Sequence, residues 1–286
     1  ASSAIRAACL VAMGLFDNKE PLCCFLAEFF ATGLFVFFGA GSVSAAVQAA
    51  GAVVEPVNYA LSFGFAITIL AFSIGDVSGA HINPAVTLSL AVTRNISPER
   101  AVSFIVAQIT GGLFGGGVLR AAIGKEKYKS GIGLAPELNG GSGFIMEYMG
   151  TFLLIFVVFN VAVWARKPTD DFGGGVVAAL APIPIGLAVM VSHLTLGPFT
   201  GCGINPARVI GAVVYEDGFW DGHAGSNFWI YIVGPFVASI TTPFVYGLME
   251  GNLTPGGMAE FAKEKTKISG KTAPDSSTTG DKGVDA

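Results

Sequence analysis

Ser78-Gly79-Ala80-His81-Ile82-Asn83-Pro84-Ala85 and, in the other half of the chain, Thr200-Gly201-Cys202-Gly203-Ile204-Asn205-Pro206-Ala207-Arg208 are two versions of one frame. A single Asn-Pro-Ala carries little weight, because Asn-Pro is a common turn and Pro suits the first helical turn. Two copies, each between long apolar segments and each at the same place in its half, form a pattern. Short apolar stretches, roughly 84–93 and 206–214, follow the motifs. Crossing a bilayer takes about 20 apolar residues in a helix, so neither stretch can span one. Each is expected to be a re-entrant half-helix or a surface helix. Re-entrant backbone is tolerated at membrane depth only where it is buried in protein or lines a water-filled cavity. The pattern therefore implies a cavity.

Composition agrees. Of 286 residues, 52% are hydrophobic and 13% charged, against about 25% charged in an average soluble domain. The 39 glycines suit close helix approach in a membrane. A net charge of −4 offers no nucleic-acid footprint. Cys9, Cys23, Cys24 and Cys202 have no metal-ligand spacing, and no nucleophile–base or metal cluster suggests an enzyme.

Six runs are long enough to span: about 22–45, 57–76, 101–122, 143–164, 175–196 and 227–249. They fall into two halves, repeat one at 22–122 and repeat two at 143–249. Glu28 with Thr32-Gly33 resembles Glu147 with Thr151-Phe152. Asn83 and Asn205 lie 122 residues apart, as do Gly64 and Gly186. With three spans per half the copies run in opposite directions, and paired interrupted segments in an inverted repeat point to a site at the midplane. Placing both termini in the cytoplasm puts 11 Lys and Arg inside and 5 outside, the outer set being Arg120, Lys125, Lys127, Lys129 and Arg208. The sequons at Asn95 and Asn252 would then be cytoplasmic. The expected organisation is an N-terminal cytoplasmic arm at 1–21 (with Ala4–Phe16 read as arm, not signal peptide), a channel domain at 22–250 and a disordered cytoplasmic tail at 251–286, where Ser269, Ser276 and Ser277 could be phosphorylated.

The paired motifs, the spans and the repeat resemble the aquaporins, the major intrinsic protein family, along nearly the whole chain. The resemblance implies an all-α membrane fold: six transmembrane helices plus two re-entrant half-helices in an inverted repeat. It implies a passive water channel that excludes protons and ions, a homotetramer in a lipid bilayer, and no cofactor. It places a central constriction at Asn83, Pro84, Ala85, Asn205, Pro206 and Ala207, and an outer filter at Phe63, His193, Cys202 and Arg208. Glu28, Glu147 and His81 become structural buttresses, and Cys202 a candidate mercurial target.

The residues also speak physically. An Asn before Pro is an N-cap whose oxygen accepts from the free N–H groups of its helix. Two helix N-termini facing one point bring about half a positive charge each, which disfavours cations there. An Arg in a membrane-embedded segment costs at least about 2.5–3.5 kcal/mol and is a functional candidate by default, the alternative being an Arg snorkelling to the headgroups. Phe-His-Cys-Arg matches water-selective members. Glycerol-conducting members usually carry Gly at the His193 position, Trp at Phe63 and Asp after the Arg, where Val209 stands here. Val209, Val213, Tyr231 and Ile232 depart from the water-selective pattern, and the loop from Arg166 to Gly175 is short for a gating lid. Two alternatives stay open: a broader pore for hydrogen peroxide, ammonia or glycerol, and a mainly structural membrane tetramer.

Overall fold

The computed structural model describes residues 22–50, 55–164 and 174–249. The arm 1–21, the tail 251–286 with its serines, the Asn252 sequon and most of the Arg166–Gly175 loop lie outside the described residues.

Among the described residues every regular element is helical. The first half contains α1 (Leu22–Ala50), α2 (Pro56–Ile74), α3 (Pro84–Val92) and α4 (Pro98–Ile123). The second contains α5 (Gly140–Val158), α6 (Gly174–Leu180), α7 (Pro182–Thr200), α8 (Pro206–Val213), α9 (His223–Ser226) and α10 (Ile230–Met249). Six segments are long and apolar enough to cross a membrane: Leu22–Ala49, Pro56–Ile74, Pro98–Ile123, Gly140–Val163, Pro182–Thr200 and His223–Met249. The half-helices α3 and α8 are the short elements anticipated after each Asn-Pro-Ala.

Prolines punctuate the chain. Pro56, Pro84, Pro98, Pro182 and Pro206 each sit in the first turn of a helix, where the missing N–H had no partner to lose. Pro182 also explains a departure from expectation. The run expected at 175–196 is two helices, broken at Ala181 by the imide that follows, and α7 continues to Thr200. Gly201, at φ 74°, ends α7 in the left-handed conformation that glycine tolerates. The α5 helix passes into a π-helical turn at Phe159–Trp164.

Helix pairs pack through small residues. A Cβ at Gly111 or Gly115 of α4 would fall on the backbone of Phe29 or Gly33 in α1. One at Gly112 or Gly116 would fall on Ala207 or Gly211 in α8. Both faces of α4 thus press backbone to backbone, the close approach that drives association where lipid is as apolar as leucine. Where α2 crosses α7, Gly64 stands against the carbonyl of Gly186 and Gly186 against that of Gly64. This reciprocal contact, between residues 122 apart, marks the axis that relates the halves.

Candidate functional site

The two Asn-Pro-Ala loops share one backbone. Gly79 and Gly201 have φ of 94° and 74°, Ala80 and Cys202 have 51° and 54°, and Ile82 and Ile204 have 53° and 39°. A β-branched residue at positive φ is a genuine outlier, costing about 1–3 kcal/mol. The four non-glycine residues at positive φ in the loops, two of them β-branched, persist only where their surroundings hold them. A buried glutamate does so in each half.

Glu28 of α1 accepts from the Ser78 hydroxyl at 2.6 Å and the His81 N–H at 2.9 Å through Oε1. Its Oε2 accepts from the Ile82 N–H at 2.7 Å and Gln108 Nε2 at 2.8 Å. Glu147 of α5 repeats the arrangement, accepting from the Thr200 hydroxyl at 2.6 Å and the Gly203 N–H at 2.9 Å. The Ile204 N–H comes to its second oxygen at 2.6 Å. Both carboxyls are fully buried. Hydrogen bonds to charged groups contribute about 1.5–3 kcal/mol each, enough to offset the backbone strain. His81 contributes its backbone N–H, contacts the Thr87 hydroxyl through Nδ1 at 3.1 Å and meets the Phe104 ring edge-on.

The half-helices meet head to head. Asn83 Oδ1 accepts from Ala85 N–H at 2.8 Å, and Asn205 Oδ1 from Ala207 and Arg208 N–H at 3.1 and 3.2 Å. Each amide also reaches across: Asn83 Nδ2 donates to the Ile204 carbonyl at 2.9 Å and Asn205 Nδ2 to the Ile82 carbonyl at 2.8 Å. The sequence gives no sign of these cross-links. One amide hydrogen of each Asn is committed to the opposite loop, and one remains to donate elsewhere. The Ile82 and Ile204 carbonyls are turned to receive the cross-links by the positive φ at those same residues.

Phe63 from α2, His193 from α7, Cys202 from the second loop and Arg208 from the first turn of α8 come together. The Phe63 and His193 rings stack at 4.1 Å between centroids, 19° apart. Arg208 Cζ lies 4.8 Å from the Phe63 centroid, within cation–π range. Gly39 opposite lacks a side chain where the Phe63 ring lies. His193 Nδ1 bonds to the Val189 carbonyl at 2.8 Å, which requires the proton on Nδ1 and leaves Nε2 a bare acceptor in the neutral ring. Arg208 Nη2 donates to the Gly201 carbonyl at 3.3 Å. His193 Nε2, Arg208 Nε and Arg208 Nη1 are buried with no partner in the protein. A buried polar atom without a partner is rare and asks for an explanation. Three of them on two neighbouring side chains put two donors and an acceptor, all unpartnered, beside the Phe63 ring.

Gln108 is the member that sequence reasoning missed. A lone amide in the glycine-rich third span was the available signal, since polar groups inside a membrane are costly and seldom idle. Val209, Val213 and Tyr231, three of the four departures noted in the sequence, pack with Ile132, Leu134, Phe219 and Ile230 in an apolar cluster separate from the one holding Phe63 and Cys202, and Ile232, the fourth, is half-buried outside it.

Residues 17–246 match the family described as Major intrinsic protein. The chain is 40% identical over 227 residues to "Probable aquaporin PIP2-6" of Oryza sativa subsp. japonica, spanning 75% of this chain and 76% of that protein. It is 39% identical over 228 residues to "Aquaporin-1" of Homo sapiens, spanning 77% and 79%. The solved structure of the aquaglyceroporin from Plasmodium falciparum superposes with a TM-score of 0.65 at 20% identity, over 79% of this chain and 95% of that one, a likeness of fold.

Proposed function

For a chain that belongs to the major intrinsic protein family, a multi-pass family of membrane channels, we propose a passive water-selective pore that excludes protons and ions. One observation carries the reading: His193 Nε2 and Arg208 Nε and Nη1 are buried and unpartnered beside the stacked Phe63 ring. A permeant that fits must donate to one group and accept from the other within a space bounded by two rings. Water does both at the smallest size. Arg208 keeps its charge at any physiological pH and faces cations with a positive wall.

At the centre, the free hydrogens of Asn83 and Asn205 would hold the oxygen of a passing water, and the paired helix N-termini would oppose hydronium. Glu28, Glu147 and His81 act here as buttresses of the two loops, not as proton carriers. The same reading covers the organisation: a channel domain over 22–250, both termini cytoplasmic, and assembly as a homotetramer. Outward-facing Phe30, Leu34 and Phe38 of α1 and Phe65, Ile69 and Phe72 of α2 give the protomer an apolar coat for lipid or for a second copy.

Stopped-flow light scattering on proteoliposomes tests the proposal, with a sucrose challenge followed by glycerol. Fast shrinkage in both, with glycerol re-swelling no faster than in empty vesicles, is the expected result. Rapid glycerol re-swelling would replace it with a broader neutral-solute pore, and no water flux above empty vesicles with a mainly structural role.

A further inference from the structure

The segment between α4 and α5, residues 124–139, is folded back as a strap against the second loop. Its anchor is a carboxylate beyond the half-helix. Glu216 Oε2 accepts from the Ser130 backbone N–H at 3.0 Å and also from the Ser130 hydroxyl. That hydroxyl in turn accepts from the Ile132 N–H at 3.0 Å, so one carboxyl oxygen fixes the turn at 130–132. Gly131 within the turn has φ of 71°, and Ser130 is fully buried. Before the turn, Tyr128 Oη donates to the Ala212 carbonyl of α8 at 2.8 Å, and Lys129 N–H donates to the Ser44 hydroxyl at 2.9 Å.

Past the turn the strap runs along the end of α7. Gly133 N–H donates to the Thr200 carbonyl at 3.3 Å and Ala135 N–H to that of Phe199 at 2.7 Å. The Gly131 carbonyl fills the space where a Gly201 side chain would stand. Gly201 is also the residue whose carbonyl receives Arg208 Nη2. A short chain of contacts therefore leads from Glu216 through Ser130 and Gly131 to the backbone group that orients the Arg208 guanidinium.

We propose that Glu216 is a positioning residue for solute selection: it touches no permeant, and by clamping the 130–132 turn onto Gly201 it sets the place of Arg208 and the width of the outer constriction. The inference rests on the water-selective reading above. Glu216 would act on discrimination more than on water flux, because water needs only a passage while exclusion of a larger solute needs the wall held still. The neighbouring Asp217 is a suitable control. It pairs with Arg120 at 2.9 Å on the surface, with its own side chain 66% exposed, and its hydrogen bond is to Arg120 and not to the strap.

The test compares wild type, Glu216→Ala, Glu216→Gln and Asp217→Ala in proteoliposomes, reading the glycerol-to-water permeability ratio. Hydrogen exchange at the 130–133 amides is read on the same proteins in detergent. Glu216→Ala is expected to raise the ratio about tenfold, equivalent to about 1.4 kcal/mol of discrimination. It should also speed exchange at 130–133. Glu216→Gln, whose amide oxygen can still accept from Ser130, should fall between, and Asp217→Ala should match wild type. An unchanged ratio in Glu216→Ala overturns the proposal, as does unchanged exchange, or an equal rise in Asp217→Ala. If Glu216→Ala does not fold, Glu216→Gln decides on the same two readings. A wild type that itself passes glycerol freely breaks the water-selective reading instead, and the exchange data then still judge the clamp.

Discussion

A shift of 122 residues, the spacing of the two motifs, carries each half onto the other, and the proposed filter ring can be compared with its own image. Phe63, His193, Cys202 and Arg208 correspond to Ile185, Ala71, Ala80 and Val86. The backbone is the same in both, down to the positive φ of Ala80 and Cys202. The furniture is not. One ring holds two stacked aromatic rings, a thiol and a guanidinium, and its image holds four aliphatic side chains. The buttresses differ in the reverse sense. Behind the first loop, Glu28 is joined by Gln108 and Thr87, which bond to each other at 2.9 Å. Behind the second, the position of Thr87 is held by Val209, and the Tyr231 ring lies against Gly203. The repeat thus supplies a scaffold, and the sequence places unpartnered polar groups in the ring of one half and a fuller polar buttress behind the loop of the other.

Exchanging one buttress oxygen for an amide should give the largest effect. In Glu28→Gln, whichever oxygen is replaced sets an NH₂ against two donors, one of them a backbone N–H. In Glu147→Gln the amide can take the place of Oε2, where only the Ile204 N–H is lost. Unmaking a buried hydrogen bond costs about 1–3 kcal/mol, so Glu28→Gln should lose about 2–4 kcal/mol and Glu147→Gln about 1 kcal/mol less. Thermal unfolding in detergent measures both. Equal losses would mean that Gln108 adds nothing to the first buttress.

Copying the plain ring onto the furnished one comes next. Arg208→Val and His193→Ala each install the residue found at the corresponding position in the other half. Either should raise glycerol permeability by about tenfold or more, a change of about 1.4 kcal/mol in discrimination, and Arg208→Val should also admit cations. Solute re-swelling and a pH-sensitive dye inside the vesicles report the two effects. If neither substitution changes selectivity, the contrast between the rings has no bearing on what passes. A smaller effect is expected of Thr87→Val, which copies Val209 into the polar network. Gln108 would keep Glu28 and lose its second partner, and His81 Nδ1 would lose the Thr87 hydroxyl, at a cost of about 1 kcal/mol in stability with water flux unchanged.

These contrasts also mark what a sequence can say. The two motifs, the span lengths and the 122-residue spacing are local or periodic features, so the six spans, the half-helices and the paired carboxylates were readable in advance. The members of each ring were nameable only through family resemblance, because Phe63, His193 and Arg208 meet across as many as 145 positions of chain. Gln108 and the amide cross-links from Asn83 to Ile204 and Asn205 to Ile82 were not read at all. They depend on which carbonyl a positive φ turns inward, and nothing in an Ala-His-Ile or Cys-Gly-Ile string announces that. The strap held by Glu216 is of the same kind, a contact between segments 86 residues apart.

The smallest predicted effect isolates a single atom. Cys202 and Ala80 occupy corresponding positions with φ of 54° and 51°, so the loop already demonstrates that alanine tolerates this left-handed conformation. Cys202 is fully buried, and its backbone N–H, not its sulfur, bonds to the Thr200 hydroxyl at 3.2 Å. Cys202→Ala should therefore leave fold and water flux close to wild type, with a stability change within about 1 kcal/mol for a small buried group removed. What it should abolish is sensitivity to a mercurial, since the thiol is the only group in the ring that such a reagent attacks. Water flux in proteoliposomes, measured before and after a mercurial, checks both halves of the prediction. Block that survives in Cys202→Ala would move the reactive thiol elsewhere, to Cys23 or Cys24 of α1 among the described residues, and would remove Cys202 from the permeation wall.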